Sequence, residues 1–172
     1  MIVAGVDPGF SGGFALLDGD GHVLRLDDLP VEHVPNTSGK MRGRYVEPRL
    51  RAMLDYGPCT IAFVERQQSM PDQSAQSTFA TGQGFGLIRG ILVGLNVPYE
   101  LVSAVTWKSV MLAGLGRDKS HALEKARALF PTADLGKRKD AGRAEALLLA
   151  EYGRRLILGR TAQPGLGLTS RS

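Results

Sequence analysis

Three short apolar or alternating runs in the first 30 residues constrain the fold more than any other feature of the sequence. The runs are IVAGVD, GFALLD and HVLRLDDL, and the segments PGFSGG and GDG separate them. Glycine-rich segments of this kind form tight turns, and runs of five to eight residues suit strands. The start of the chain therefore predicts an antiparallel meander of three strands.

Helical and strand patterns alternate through the rest of the chain. Helices are predicted over 45–56, 73–95, 118–130 and about 140–158, and strands over 60–65 and 99–104. Residues 32–44 are polar, contain proline and glycine, and predict a mobile loop. The order indicates an α/β fold: a five-strand mixed sheet, with three antiparallel and two parallel strands, flanked by helices. We expect one domain over 1–160 and a flexible tail over 161–172.

Composition and charge narrow the classes of function. The single cysteine, Cys59, excludes an internal disulfide framework and a cysteine-only zinc site. The chain shows no signal-peptide pattern and no apolar run of bilayer length, so we expect a cytoplasmic protein, in a bacterium or a phage-infected cell, without a membrane partner. Residues 1–103 hold eight Lys and Arg against eleven Asp and Glu, whereas 104–172 hold thirteen against six. The basic second half favours a polyanionic partner.

Two apolar runs end in an acid at the same depth. Asp7 follows IVAGV and Glu65 follows TIAFV. If the two strands are parallel neighbours, both carboxylates lie at one sheet edge, where they repel each other unless a cation or a shared proton is present. Oxygen ligands suit Mg²⁺, and a pair of such ions can clamp a phosphodiester during cleavage. Each acid alone would also fit a turn cap at a strand end.

The last helix adds two more acids, Asp140 and Glu145. They are five residues apart, so they do not share a face if both are helical, whereas Ala141 and Glu145 do. Glu145 lies in an otherwise apolar stretch, where a buried acid needs a partner, and this favours Glu145 as the acid that points into a site. Asp140 could reach the same site from the turn before the helix, or it could cap the helix.

Taken in order, these motifs resemble the RuvC-like Holliday junction resolvases of the RNase H-like superfamily, and in particular the phage and organelle-type branch. The matching segments span residues 1–155: GVDPGFSGG, FVERQQSMPDQ, TGQGFGLIRG, TWK, DKS and DAGRAEALLLAEYG. The resemblance implies a homodimeric endonuclease that makes paired nicks in four-way DNA. It assigns Asp7 and Glu65 as metal ligands and Glu145 as the C-terminal acid. Two Mg²⁺ ions per site are expected, with Mn²⁺ as a substitute.

One position departs from the family pattern. The family has a second acid or a histidine near the start of the last helix, and the matching position here is Ala141. Either Asp140 supplies this fourth catalytic and metal-binding group, or the site is weakened. An inactivating substitution at Ala141 is a third explanation.

Basic and amide side chains supply the candidate DNA contacts. By resemblance, Lys108 and Lys119 lie near the metal site and could neutralise charge on the scissile phosphate. Trp107 fits the core better than a base-stacking role. Further candidates for phosphate or base contact, each of which also fits an ordinary solvated surface, are Lys40, Arg42, Arg44, Arg66, Gln67, Gln68, Met70, Arg117, Lys137, Arg138 and Lys139.

The long helix over 73–95 carries small residues every four positions: Ser74, Thr78, Gly82, Gly86, Gly90 and Gly94. Such a ridge suits close helix packing, either in a dimer interface or against the subunit's own sheet. Rival functions also stay open. DPGFSGG resembles a phosphate-binding turn of actin-like ATPases, Ala141 allows a non-catalytic junction-binding protein, and a ribonuclease would share the fold.

Overall fold

The structure is a computed structural model, and it describes residues 1–35, 39–57, 61–69, 71–116 and 118–162, with side chains up to residue 159. The strands are β1 Ile2–Val6, β2 Gly13–Asp18, β3 Val23–Asp28, β4 Val31–Pro35, β5 Met41–Tyr45, β6 Ile61–Glu65 and β7 Tyr99–Val102. The helices are α1 Glu47–Leu54, α2 Ala75–Gly94, α3 Ala104–Met111, α4 Lys119–Leu129 and α5 Ala141–Ala162. The candidate DNA contacts Met70 and Arg117, and most of the predicted tail, lie outside the described residues.

The main sheet has the strand order β3-β2-β1-β6-β7. Strands β1, β2 and β3 pair antiparallel, and β1, β6 and β7 pair parallel, which confirms the predicted five-strand mixed sheet. Val6 lies opposite Val64 in the parallel register, so Asp7 and Glu65 leave neighbouring strands at the same edge. The pairing on which the metal-site prediction depended is therefore present.

Helices cover both faces of this sheet. Alternate side chains of β1 enter different cores: Val3 packs with α3, α4 and α5, and Ala4 packs with α1 and α2. Because β1 is buried on both faces, its residues are almost all apolar, and its terminal acid is carried into a protected position. In the part of the chain that the structure describes, no helix combines the length and apolar character needed to cross a bilayer.

Helix α5 packs unusually close to β1 and to the turn that follows it. A Cβ atom added at Gly5 would lie 2.1 Å from the carbonyl oxygen of Ala146, and one added at Gly142 would lie 1.9 Å from that of Ser11. Neither position tolerates a side chain without movement of the backbone. This contact brings the first turns of α5, and with them Glu145, against the segment that carries Asp7.

The prediction of a loop over 32–44 is wrong for the residues that form strands, 32–35 and 41–44. Strands β4 and β5 form an antiparallel hairpin, a two-stranded sheet separate from the main one, in which His33 pairs with Gly43. Pro35 ends a strand of this small sheet, which has two free edges, so its missing N–H disrupts no central ladder. Gly43 lets the hairpin approach Phe10, since a Cβ there would lie 3.0 Å from the ring.

Helix α3 was not predicted from the sequence. It is short, and Ser103 caps it by accepting a hydrogen bond from the backbone N–H of Thr106 at 3.1 Å. Its buried residues are Trp107 and Met111. These two side chains anchor α3 in the core near the end of β6. Helix α3 is therefore close enough for Trp107 to contact Glu65.

The four-residue glycine ridge of α2 faces away from the subunit. A Cβ atom added at Gly82, Gly86, Gly90 or Gly94 would meet nothing within 4 Å. Packing of these glycines against the subunit's own sheet is therefore wrong. Gly84, on another side of the helix, is the glycine that packs internally, against Tyr45.

Candidate metal and DNA-binding site

Three acids converge where β1, β6 and α5 meet. Asp7 is 7% exposed and Glu145 is 4% exposed. Burial, together with the charges of Glu65 and Glu145, raises the pKa of Asp7 to about 7, against the opposing charge of Lys119 and a hydrogen bond from the Gly9 N–H. Three carboxylates against two nearby lysines, Lys108 and Lys119, leave an excess of negative charge that suits a hard cation.

Glu65 is held by two donors. The indole Nε1–H of Trp107 donates to Glu65 Oε2 at 2.8 Å, and Gln67 Nε2 donates to Oε1 at 3.4 Å. Burial raises the pKa of Glu65, and the charge of Glu145 adds to this rise, while the Trp107 hydrogen bond opposes it. Trp107 is fully buried, which agrees with the prediction that it belongs to the core. Its second role, orienting a carboxylate, was not anticipated from the sequence.

Lys108 lies inside the acid cluster. Its Nζ donates to Glu145 Oε1, and the side chains of Lys108 and Glu145 are 15% and 5% exposed. The ammonium group also lies 5.2 Å from the centre of the Trp107 ring. Adjacent residues of α3 thus contact two acids, Trp107 holding Glu65 and Lys108 holding Glu145.

Asp140 makes different contacts. Its carboxylate accepts hydrogen bonds from the Lys137 backbone N–H at 2.7 Å and from Arg143 Nη2 at 2.6 Å. Burial alone would raise the pKa of Asp140, but these hydrogen bonds hold it below its usual range. Arg143 also pairs with Asp28 and Asp134, at 3.2 and 3.3 Å. Asp140 therefore anchors the start of α5, and its assignment as a metal ligand stays a prediction.

Ala141 lies in the wall of an open cleft of about 690 Å³ between α4 and the start of α5. Ala141 and Glu145 share a helix face, and Lys119, whose charge acts on Asp7, lines the same cleft. Position 142 has no room for a side chain, but the cleft offers space at 141 for a larger one. The cleft is lined by Asp118, Lys119, Ser120, Leu123, Glu124, Arg127, Arg138 and Ala141.

Some of the candidate DNA-contact residues make contacts within the protein. Arg42 donates to Gln76 of α2, Arg44 pairs with Glu32 at 2.6 Å, and Gln67 is bound to Glu65. Asp118 caps α4, since it accepts hydrogen bonds from the N–H groups of Ser120 and His121. Arg44 is exposed despite its pairing with Glu32, and so are the candidates Lys40, Arg66, Gln68, Lys119, Lys137, Arg138 and Lys139.

A second cluster of possible metal ligands lies elsewhere. Side-chain atoms of Asp18, Asp20 and His22 all come within 4.8 Å of one another. Asp18 pairs with Ile2, at the opposite end of β1 from Asp7, so this exposed group belongs to a different edge of the sheet. Asp18 Oδ2 lies 2.9 Å from His22 Nδ1, so these two side chains pair with each other.

Comparison with known proteins supports the fold. No family model and no curated protein matches the sequence. A Thermus thermophilus RuvC structure in complex with Holliday junction substrate is 15% identical, with a TM-score of 0.61. A second T. thermophilus RuvC structure is 17% identical, with a TM-score of 0.54. Each match covers 91% of this chain and 96% of the other.

These similarities define the class of fold. The chain has the RuvC-like, RNase H-like architecture that its sequence motifs predicted, over almost the whole length of both proteins. The likeness to RuvC resolvases is thereby confirmed at the level of fold. Membership of the phage and organelle-type branch, and the single domain over 1–160, stay predictions.

Proposed function

We propose that this protein is a structure-specific endonuclease that resolves four-way DNA junctions by paired, Mg²⁺-dependent nicks. The observation that carries the proposal is a cluster of three acids at one edge of a RuvC-like sheet, in which Asp7 and Glu145 are buried and Glu65 is partly buried. The fold's solved example with bound Holliday junction substrate supports the choice of DNA. The basic second half of the chain supports a polyanionic substrate.

The donor chemistry of this cluster fits Mg²⁺. Its three members offer only oxygen ligands. A cation would favour the charged form of Asp7, whose pKa is raised by burial first and by the charges of Glu65 and Glu145 second. Bound Mg²⁺ supplies an activated water and stabilises charge that develops on the phosphodiester. The fourth predicted ligand, Asp140, would have to exchange its contact with Arg143 to join the set.

The chain's own residues prepare the site for a phosphate. Trp107 and Gln67 hold the Glu65 carboxylate in one orientation, and Lys108 holds Glu145. Lys108 and Lys119 place positive charge beside the acids. There it can stabilise the negative charge that develops on the phosphate oxygens in the transition state. Exposed Lys137, Arg138 and Lys139 continue the basic surface next to the cleft, and these side chains would contact the DNA backbone.

The same proposal includes a homodimer. A four-way junction is two-fold symmetric, so a two-fold dimer presents two matched sites to it. The outward face of α2 supports this assembly, because it combines the open glycine ridge with exposed Phe79 and Val93, which are 73% and 61% exposed. Residues four apart form the ridge used in the commonest class of helix crossing, and glycine allows the closest approach.

Ala141 favours a second candidate function, a junction-binding protein with little or no cleavage activity. The family pattern has an acid or a histidine at this position, and the cleft beside Ala141 has space for either. In this version the three remaining acids and the basic surface would still bind the junction.

Incubation of a synthetic four-way junction with the protein and Mg²⁺ tests both candidates. Linear duplex, single strand and RNA–DNA hybrid serve as substrates for comparison, and ATP binding tests the actin-like alternative. Symmetric nicks in the junction alone support a resolvase, and tight binding without nicks supports the non-catalytic candidate. Preferential cleavage of the hybrid would indicate a ribonuclease. Absence of binding and cleavage, with ATP bound, would overturn the proposal.

A further inference from the structure

Tyr45 connects the turn after Asp7 to two other elements. Its hydroxyl donates to the carbonyl oxygen of Pro8 at 2.6 Å and lies 3.2 Å from that of Gly9. Gly9 in turn donates its N–H to Asp7 Oδ1 at 3.3 Å. The backbone segment that Tyr45 holds is therefore the one that orients the Asp7 carboxylate.

The Tyr45 ring is itself held firmly. Tyr45 is 5% exposed, and its ring lies 5.2 Å from that of Phe10, which follows Gly9 in the chain. On another side it rests on α2, where a Cβ added at Gly84 would lie 2.6 Å from Tyr45 Cε2. A larger residue at 84 would therefore displace the ring.

The main chain of Tyr45 belongs to the base of the β4–β5 hairpin. Tyr45 pairs with Val31 in the hairpin register, and the next residue, Val46, donates its N–H to the Pro30 carbonyl at 2.8 Å. Arg42 of the same strand is tied to Gln76 in the first turn of α2. The hairpin and α2 thus fix Tyr45 from two directions before it reaches the turn.

We infer that Tyr45 is a positioning residue for the metal site, acting through the Pro8 and Gly9 carbonyls to hold Asp7 in its metal-binding orientation. The hydroxyl is suited to this role because it is buried within hydrogen-bonding distance of both carbonyl oxygens. Groups that orient a metal ligand typically change metal affinity by roughly 10–100-fold when they are removed. This inference rests on the proposed function, since it assumes that Asp7 binds the metal.

Titration of the full chain with Mn²⁺, without DNA, tests the inference. Free Mn²⁺ is followed by electron paramagnetic resonance in wild type, Tyr45→Phe and Gly84→Ala, with Tyr99→Phe as the matched control. Tyr99 accepts a hydrogen bond from exposed Arg89, away from the acids. We expect Tyr45→Phe to weaken Mn²⁺ binding about tenfold, Gly84→Ala to weaken it in the same direction, and Tyr99→Phe to leave it unchanged.

An Asp7→Asn variant separates the two claims. If Asp7→Asn loses Mn²⁺ binding while Tyr45→Phe binds within twofold of wild type, the assignment of Tyr45 is overturned and the metal site stands. If Asp7→Asn binds Mn²⁺ as wild type does, the metal site and the role of Tyr45 both fail. A merely structural role would lower the melting temperature of Tyr45→Phe without changing the Mn²⁺ affinity of the folded protein.

Discussion

The indole of Trp107 donates to Glu65 Oε2 at 2.8 Å, joining the buried centre of α3 to the acid at the end of β6. Trp107 is fully buried, so water cannot replace Glu65 as the partner of its indole N–H. Loss of the donor would leave Glu65 with the longer contact from Gln67. The orientation of Glu65, and the restraint on its pKa, therefore depend on Trp107.

Replacement of Trp107 by Phe removes this hydrogen bond and retains an aromatic ring. We expect the Mg²⁺ concentration for half-maximal cleavage to rise roughly tenfold, because the donor orients a metal ligand. Leu112→Ala, in the same core cluster, is the matched control for lost packing. If both variants change the Mg²⁺ requirement equally, packing and not the hydrogen bond explains the effect.

Replacement of Asp7 by Asn should stabilise the metal-free protein at high pH. Asp7 has its ordinary pKa of 3.8 in the unfolded chain, whereas its pKa in the fold is about 7. Between these values the folded state binds more protons, so the free energy of unfolding falls as pH rises. Urea unfolding in EDTA should show Asp7→Asn more stable by about 2–4 kcal/mol at pH 8, with the difference lost near pH 4.

Glu151 provides the opposite case on the same helix as Glu145. Burial would raise the pKa of Glu151, but Arg154 and Arg155 lower it below its usual range, so its charged form stabilises the fold. This stabilisation is present above the unfolded pKa and is lost as pH falls. Glu151→Gln should therefore destabilise the protein at pH 8. A stabilising effect of Glu151→Gln, or none for Asp7→Asn, would contradict this account of the two acids.

Replacement of Lys108 by Met leaves Glu145 buried without its cation. Breaking a buried ion pair from one side costs about 3 kcal/mol, so the variant should melt at a lower temperature in EDTA. Mg²⁺ would then stabilise Lys108→Met more than it stabilises wild type. Lys125→Met on α4 is the control and should respond to Mg²⁺ as wild type does. An equal response of both lysine variants would show that Lys108 and the metal act on different acids.

Replacement of Phe79 by Lys tests the dimer face of α2. The added charge would be buried when two glycine ridges pack, so sedimentation should give a monomer at concentrations where wild type is a dimer. Leu24→Lys changes another exposed apolar residue, on β3, and should leave the dimer intact. The monomer should nick one strand at a time instead of in pairs. A wild type that stays monomeric with junction DNA present would contradict the proposed assembly.

The sheet and the acid pair could be read from the sequence because two local signals coincide. IVAGV and IAFV are both runs without a polar side chain, and an acid follows each of them, which indicates buried parallel strands with a shared edge. Glu145 was identifiable because it interrupts an apolar helix. The face of Glu145 relative to Ala141 follows from helix geometry alone.

The parts that the sequence missed depend on contacts between distant segments. The β4–β5 hairpin contains Pro35 and Gly43, which locally favour a loop, whereas Tyr45 at its base contacts Pro8 and Phe10, more than 30 positions away in the chain. The bond from Trp107 to Glu65 spans 42 positions of the chain. The sequence did not indicate whether the glycine ridge faces the sheet or the solvent. That depends on which face of α2 packs against the rest of the subunit.

Nick mapping on a four-way junction, with each strand labelled in turn, tests the central claim most directly. Wild type, Ala141→Asp and Asp7→Asn are compared in Mg²⁺ and in EDTA. The account predicts symmetric nicks that require Mg²⁺, at least tenfold faster in Ala141→Asp than in wild type and absent in Asp7→Asn. Failure of both wild type and Ala141→Asp to cut a junction that they bind, or equal cutting by Asp7→Asn, would contradict it.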